Sequence, residues 1–163
     1  MSTSARLLKT GALLGGVAIA LNYPWEMLQG SLYTLPSSGA LHWRLCFRAS
    51  LGDASLVLLL FALWSAARRR LDWGLTRADL QDLPGIAAAG AILGAGVEWL
   101  SVHAWHRWAY RERMPLIPVL EIALVPVVQM SLLTTAIFWL AAARLVGVAP
   151  TQSGAVSKQR SVE

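Results

Sequence analysis

Residues 84–114 read PGIAAAGAILGAGVEWLSVHAWHRWAYRERM, a long apolar run followed by an aromatic and basic segment. Between residues 85 and 104 the only charged side chain is Glu98, and about 20 apolar residues is the length that a helix needs to cross the hydrocarbon of a bilayer. Gly90, Gly94 and Glu98 follow at intervals of four, so they lie on one face of that helix. Lipid does not solvate a carboxylate, so this face must meet protein or a water-filled cavity. The stretch therefore predicts one helix of a membrane bundle with a polar site inside it.

The composition of the whole chain agrees with a membrane location. The 163 residues are 56% hydrophobic and 14% charged, whereas about a quarter of the residues are charged in ordinary soluble domains. The net charge is +5, but the arginines flank apolar runs. The positive-inside rule accounts for that placement, and no nucleic-acid partner is predicted. Cys46 is the only cysteine, which excludes an intrachain disulfide and a CxxC motif.

The apolar runs predict an all-α fold, a polytopic membrane protein with four transmembrane helices in a bundle. The first run follows a short basic segment and also resembles a secretory signal peptide, but the large residues of 22–26 (NYPWE) do not resemble a cleavage site. The fourth run is longer than a bilayer is thick and contains Pro118 and Pro126, so it is expected to tilt or kink. The predicted transmembrane domain covers residues 1–148, with spans at about 7–29, 43–66, 84–106 and 115–145, and a disordered cytoplasmic tail covers 149–163.

The distribution of basic residues predicts the orientation. With four spans both termini lie on one side, together with the loop that contains residues 68–70 (RRR). That side holds nine of the 14 basic residues and the other side holds five. The positive-inside rule then places both termini in the cytoplasm of a multi-pass inner-membrane protein.

This orientation predicts one acid from each helix at a similar depth in the outer half of the membrane: Glu26, Asp53, Glu98 and Glu121. Ionisable side chains inside a membrane favour a functional site, and Glu98 is the deepest of the four and the candidate catalytic residue. The other candidate ligand-binding residues are the polar side chains expected at that level, namely Glu26, Gln29, Arg48, Asp53, His103, Arg107, Tyr110, Glu121 and Gln129.

Two other roles compete for these side chains. The acids and arginines could form ion pairs that only hold the helices together. His103 and His106 have a spacing that suits a metal ion, with His42 or a carboxylate completing the shell, although histidines at a membrane interface also serve as aromatic neighbours or partners of acids. No metal is assigned to the site, and no cofactor is predicted, because the chain has no haem, P-loop, GxSxG or dinucleotide motif.

Three functions follow from such a site. The first is a binding or assembly module whose cavity holds a small polar molecule, a lipid head group, an ion or a partner helix. The second is a membrane enzyme in which Glu98 acts as general acid or base on a lipid-soluble substrate, assisted by Glu26, Asp53, Glu121 or His103. The third is a proton-coupled small carrier. The expected partners are the lipid bilayer, a lipid or small-molecule ligand and, in a homo-oligomer, further copies of the chain.

Several short motifs are shared with known membrane proteins. They are Glu98-Trp99, Trp108-Ala109-Tyr110, Met114-Pro115-x-x-Pro118, Pro126-x-x-Gln129 and Asn22-Tyr23-Pro24-Trp25-Glu26-x-x-Gln29. This set resembles small uncharacterised bacterial inner-membrane proteins with four helices. The resemblance covers a minor part of the chain and implies a membrane fold but no known activity. A glutamate followed by a tyrosine-containing aromatic loop is also similar to carotenoid hydratases of membranes, which are much longer chains, and no residue role is carried over from them.

Overall fold

A computed structural model describes residues 3–35, 38–69 and 81–146 of the chain. The described part is mostly helical, and the four predicted helices are present. A short 3-10 turn follows the first helix, and a two-stranded antiparallel hairpin precedes the fourth. The elements are α1 (Thr3–Gln29), the 3-10 turn (Gly30–Leu32), α2 (Gly39–Ala67), α3 (Leu83–Trp99), a π-helical turn (Leu100–Ala104), β1 (Leu116–Ile117), β2 (Ile122–Ala123) and α4 (Leu124–Val146).

Three of the helices are long and apolar enough to cross a membrane, as judged by length and composition. They are Gly39–Ala67, Leu83–Ala104 and Leu124–Ala143. The first helix, α1, is not among them, although it has 27 residues. Polar side chains such as Asn22 and Glu26 occupy its last turns.

Two glycines allow α3 to pack closely on α4. A Cβ atom at Gly90 would lie 2.5 Å from the carbonyl oxygen of Met130, and one at Gly94 would lie 2.9 Å from the Cβ of Met130. Ile86, Gly90, Gly94 and Glu98 are the buried residues of α3. The prediction that the close-packing face of this helix also carries the glutamate is therefore confirmed.

The beginning of the fourth helix differs from the prediction. The expected span at 115–145 is wrong in its first turns, because the helix begins at Leu124 and residues 116–123 form the hairpin. Pro118 lacks the backbone N–H that a helix needs, and Glu121 has a φ of 51°, a left-handed conformation at the turn. Pro126 is tolerated inside α4 because it lies in the first turn, where backbone N–H groups have no helical partner.

The third helix also ends differently from the prediction, which placed its end at 106. The backbone widens into the π-helical turn, where Trp105 N–H donates to Leu100 O at 2.9 Å. His106 follows with a φ of 48°, which terminates the helix. The chain then runs extended beside the segment that follows α1.

Main-chain hydrogen bonds join these two connecting segments, and we call this pairing the loop bridge. Thr34 N–H donates to Ala109 O at 3.0 Å, and Arg111 N–H donates to Leu32 O at 2.9 Å. Tyr33 pairs with Tyr110 as an isolated antiparallel bridge. The bridge brings two tyrosines together at the end of the bundle where α1 and α3 end.

The opposite end of the bundle contains an ion pair between Arg68 and Asp82, which links the end of α2 to the residue before α3. Trp64 Nε1 also donates to Asp82, at 3.2 Å. The predicted first and second spans, 7–29 and 43–66, lie within α1 and α2. The predicted disordered tail at 149–163 lies outside the described residues.

Candidate functional site

A cavity of about 550 Å³ lies at the end of the bundle where α1 and α3 end and α2 and α4 begin. All four helices contribute to its wall, together with the two segments of the loop bridge. Glu26 comes from α1, Asp53 from α2, Glu98 from α3 and Gln129 from α4. Three of the four acids that were predicted to converge thus face one space.

The first polar group on the cavity wall is the acid–amide cluster, formed by Asn22, Glu26, Gln29, Asp53 and Gln129. Gln129 Nε2 lies within hydrogen-bond distance of three acceptors, 3.0 Å from Asn22 Oδ1, 2.9 Å from Glu26 Oε1 and 3.0 Å from Asp53 Oδ2, and its two N–H groups are shared among them. Gln29 Nε2 donates to Glu26 Oε1 at 2.6 Å and to Gln129 Oε1 at 2.8 Å. The side chain of Gln129 is central, because it contacts α1 and α2 from α4.

Helical spacing explains how α1 supplies three of these side chains. Asn22, Glu26 and Gln29 follow at steps of four and three, so they share the face that packs on α2 and α4. Asn22 Nδ2 donates to the carbonyl oxygen of Ala18 at 2.9 Å. This bond fixes the amide so that its oxygen faces Gln129.

The second polar group surrounds Glu98, which is only 3% exposed. Its Oε1 accepts hydrogen bonds from Tyr110 OH at 2.7 Å, from Tyr33 OH at 3.3 Å and from Trp108 Nε1 at 3.3 Å. Tyr110 OH in turn accepts a bond from the backbone N–H of Ala123 at 3.1 Å. No described residue donates to Oε2, so the second carboxyl oxygen of Glu98 keeps its hydrogen-bonding capacity for the cavity that this residue lines.

The two tyrosines of the loop bridge stay protonated donors. Burial raises the pKa of Tyr33 above its ordinary value, and the nearby carboxyl group of Glu98 adds to that shift. Burial likewise raises the pKa of Tyr110, together with its hydrogen bond to Glu98. Neutral phenols therefore supply the bonds that hold Glu98.

Cations line the same cavity but do not neutralise its acids. Arg48 and Arg107 are exposed and belong to the wall. Arg107 packs over the ring of Trp108, with its guanidinium carbon 5.6 Å from the ring centre. Within residues 3–35, 38–69 and 81–146 the one ion pair is Arg68–Asp82. Among the described residues, no arginine pairs with an acid of the cavity, so the ion pairs of the structural alternative are not seen there.

The two histidines of the metal alternative lie apart from the acids. His103 Nε2 lies 3.2 Å from Leu120 O, and its ring lies 5.5 Å from that of Trp99. His106 is exposed. In the described part of the chain, no group of three His, Cys, Asp or Glu side chains is arranged to hold a metal ion.

The structure thus brings together most of the predicted site residues and leaves two outside. Glu121 is exposed in the hairpin turn, because the helix expected to turn it inward begins three residues later. His103 bonds to the hairpin backbone and does not line the cavity. Those that line the cavity are Glu26, Gln29, Arg48, Asp53, Glu98, Arg107 and Gln129, and Tyr110 joins them through Glu98.

Some residues of the site were not predicted. Tyr33 and Trp108 bind Glu98 from connecting segments, whose side-chain directions no periodicity reveals. Cys46, which was not predicted either, lines the cavity one helical turn from His42 on α2, with its Sγ 3.6 Å from His42 Nδ1; His42 was predicted only as a member of the metal alternative. Their i, i+4 spacing is a signal that the sequence contains, since Ser50 and Asp53 continue the same face.

No family model, curated protein or solved structure matches this chain.

Proposed function

We propose that this chain is an inner-membrane protein with four transmembrane helices, and that its cavity binds a small polar molecule or a lipid head group in the outer half of the bilayer. The observation that carries the proposal is the cavity of about 550 Å³ faced by carboxyl groups from three helices. Neutral donors hold these acids, and Glu98 Oε2 has no donor among the described residues. A ligand with hydrogen-bond donors or a positive charge would complete this site.

The proposed membrane orientation has its own support and test. Three helices have the length and composition of membrane spans, and the basic residues favour cytoplasmic termini. Reporter fusions after Arg70 and at the C-terminus are expected to report the cytoplasmic side at both points. Finding the two points on opposite sides of the membrane would overturn the four-span arrangement.

Binding is tested by mass spectrometry of molecules that co-purify with the protein in mild detergent. We expect a defined molecule to accompany the unaltered protein and to be lost in Asp53→Asn and Glu98→Gln. Glu121→Gln is the matched control, since it removes one carboxyl group outside the cavity. Identical co-purifying molecules in all four proteins would contradict the proposal.

A membrane enzyme is the second candidate, and the environment of Glu98 favours it. One carboxyl oxygen is held by three donors, while the other has no described donor. Such an acid is oriented and still able to exchange a proton with a substrate in the cavity. Incubation of the reconstituted protein with a total lipid extract is expected to yield a product that is absent with Glu98→Gln and present with Glu121→Gln. Equal product from both variants would exclude Glu98 as the proton donor or acceptor.

A further inference from the structure

Charges of both signs face the cavity without pairing with each other. Glu98 and the two acids of the acid–amide cluster form its inner wall, while Arg48 and Arg107 are exposed members of the same wall. Neither arginine lies within ion-pair distance of these acids. A ligand that satisfies both kinds of group must carry a positive and a negative charge on one molecule.

The charged groups differ in what they are able to bind. An arginine guanidinium binds phosphate through parallel N–H donors. Glu98 Oε2 is an acceptor, so it favours a group that carries N–H or O–H. Glu98 is 3% exposed and the arginines are exposed, so the donor group would lie inside and the phosphate would lie at the rim.

The wall of the cavity between α2 and α3 suits a hydrocarbon chain. These two helices make few contacts with each other, whereas α3 packs mainly on α4 and α1 mainly on α2. The cavity lining includes small or apolar residues of both helices, which are Ala49, Gly52 and Leu56 on α2 and Gly94 and Val97 on α3. An acyl chain between the two helices would bury its hydrocarbon against these residues.

We propose that the ligand is a phospholipid with a primary-amine head group, of the phosphoethanolamine type. Its ammonium binds Glu98 and the acid–amide cluster, its phosphate binds Arg48 and Arg107, and its chains lie between α2 and α3. This inference rests on the proposed binding function and names the class of ligand for the same cavity. A phosphoglycerol lipid lacks the ammonium, and a phosphocholine lipid has a quaternary nitrogen without N–H.

The test is native mass spectrometry of the delipidated protein, titrated separately with phosphatidylethanolamine, phosphatidylcholine and phosphatidylglycerol of equal chain length. We expect phosphatidylethanolamine to bind at least about tenfold more tightly than the other two, the effect of one charge-assisted hydrogen bond. Glu98→Gln is expected to remove the preference over phosphatidylcholine. The double variant Arg48→Gln/Arg107→Gln is expected to weaken binding of all three lipids, while Arg44→Gln, an exposed arginine of α2 outside the cavity wall, is not.

The outcomes separate this inference from the function on which it rests. Equal or tighter binding of phosphatidylcholine or phosphatidylglycerol would overturn the amine head group while leaving a lipid-binding cavity. Free phosphoethanolamine that binds as tightly as the lipid would overturn the role of the gap between α2 and α3. If the three lipids and free phosphoethanolamine all fail to bind the folded protein, the phosphoethanolamine ligand is overturned, and the binding function fails with it only if no co-purifying molecule is lost in Asp53→Asn and Glu98→Gln. If Glu98→Gln proves unstable, Asp53→Asn provides the same comparison from another helix.

Discussion

Replacing Gly90 by alanine should disrupt the packing of α3 on α4, the helices that supply Glu98 and Gln129 to the cavity. The added Cβ would lie 2.5 Å from Met130 O, 3.1 Å from the carbonyl carbon of that residue and 3.4 Å from Ser131 Cα. These are backbone atoms of α4, so no side-chain rotation relieves the overlap. The two helices must instead separate by roughly 1 Å to restore ordinary contact distances.

The size of the effect follows from two opposing contributions. Overpacking of a well-packed interface costs about 1–3 kcal/mol, and a clash with the main chain belongs at the upper end of that range. Exchange of glycine for alanine inside a helix returns about 1 kcal/mol. We therefore expect Gly90→Ala to lower the free energy of unfolding by about 2 kcal/mol.

Gly96 offers a matched control on the same helix. A Cβ at this position has no atom within 4 Å, so Gly96→Ala should raise the free energy of unfolding by about 1 kcal/mol. The two variants should then differ by about 3 kcal/mol, roughly a hundredfold in the unfolding equilibrium. Denaturation by SDS in mixed micelles, followed by tryptophan fluorescence, measures this difference. Equal stability of the two variants would refute the close approach of α3 to α4.

Three further predictions concern the polar groups. Gln129→Leu should lower the free energy of unfolding by about 3 kcal/mol, because buried acceptors left without a donor cost about 1–3 kcal/mol each. An unchanged SDS transition would show that the Gln129 amide does not stabilise the acid–amide cluster. The raised pKa of Tyr33 and Tyr110 means that folding favours the neutral phenols, so their contribution to stability is complete below the ordinary phenol pKa of about 10 and is lost as pH rises above it. When the pH is raised from about 9 to about 12, the free energy of unfolding should therefore fall less in the double variant Tyr33→Phe/Tyr110→Phe than in the unaltered protein. An equal fall in both proteins would argue against buried phenols. Arg68→Gln should lower the free energy of unfolding by less than about 1 kcal/mol, because the Arg68 side chain is 48% exposed and water screens its pair with Asp82. A loss above about 2 kcal/mol would show that the pair is shielded from water.

Helical periodicity accounts for the part of the site that was predictable from the sequence. Steps of three and four residues place Asn22, Glu26 and Gln29 on one face of α1, and Gly90, Gly94 and Glu98 on one face of α3. In an apolar helix a polar residue on the close-packing face must meet other protein, so its neighbours come from the adjacent helices. The convergence of Glu26, Asp53 and Glu98 on one cavity follows from this argument.

The connecting segments were not predictable in the same way. The apolar residues of 116–123 fit a helix as well as a strand and only Pro118 disfavours the helix, while the hairpin depends on pairing of β1 with β2 and on the left-handed backbone at Glu121. Tyr33 and Trp108 reach Glu98 only because the loop bridge fixes the direction of both segments. Contacts between segments about 75 residues apart are set by tertiary packing, and local propensity contains no information about them.

The loop bridge also determines how this region responds to sequence change. Its main-chain bonds run from the N–H groups of Thr34 and Arg111 to carbonyl oxygens, and the side chains of the same residues add bonds from Thr34 Oγ1 to Ala109 O at 3.2 Å and from Arg111 Nε to Tyr33 O at 2.8 Å. Replacing either side chain by an apolar one would remove its own bond and leave the main-chain bond in place. Proline is the exception, because it has no N–H to donate. A proline at either position would remove both the main-chain and the side-chain bond of that residue, and so half of the four hydrogen bonds that Thr34 and Arg111 make across the bridge.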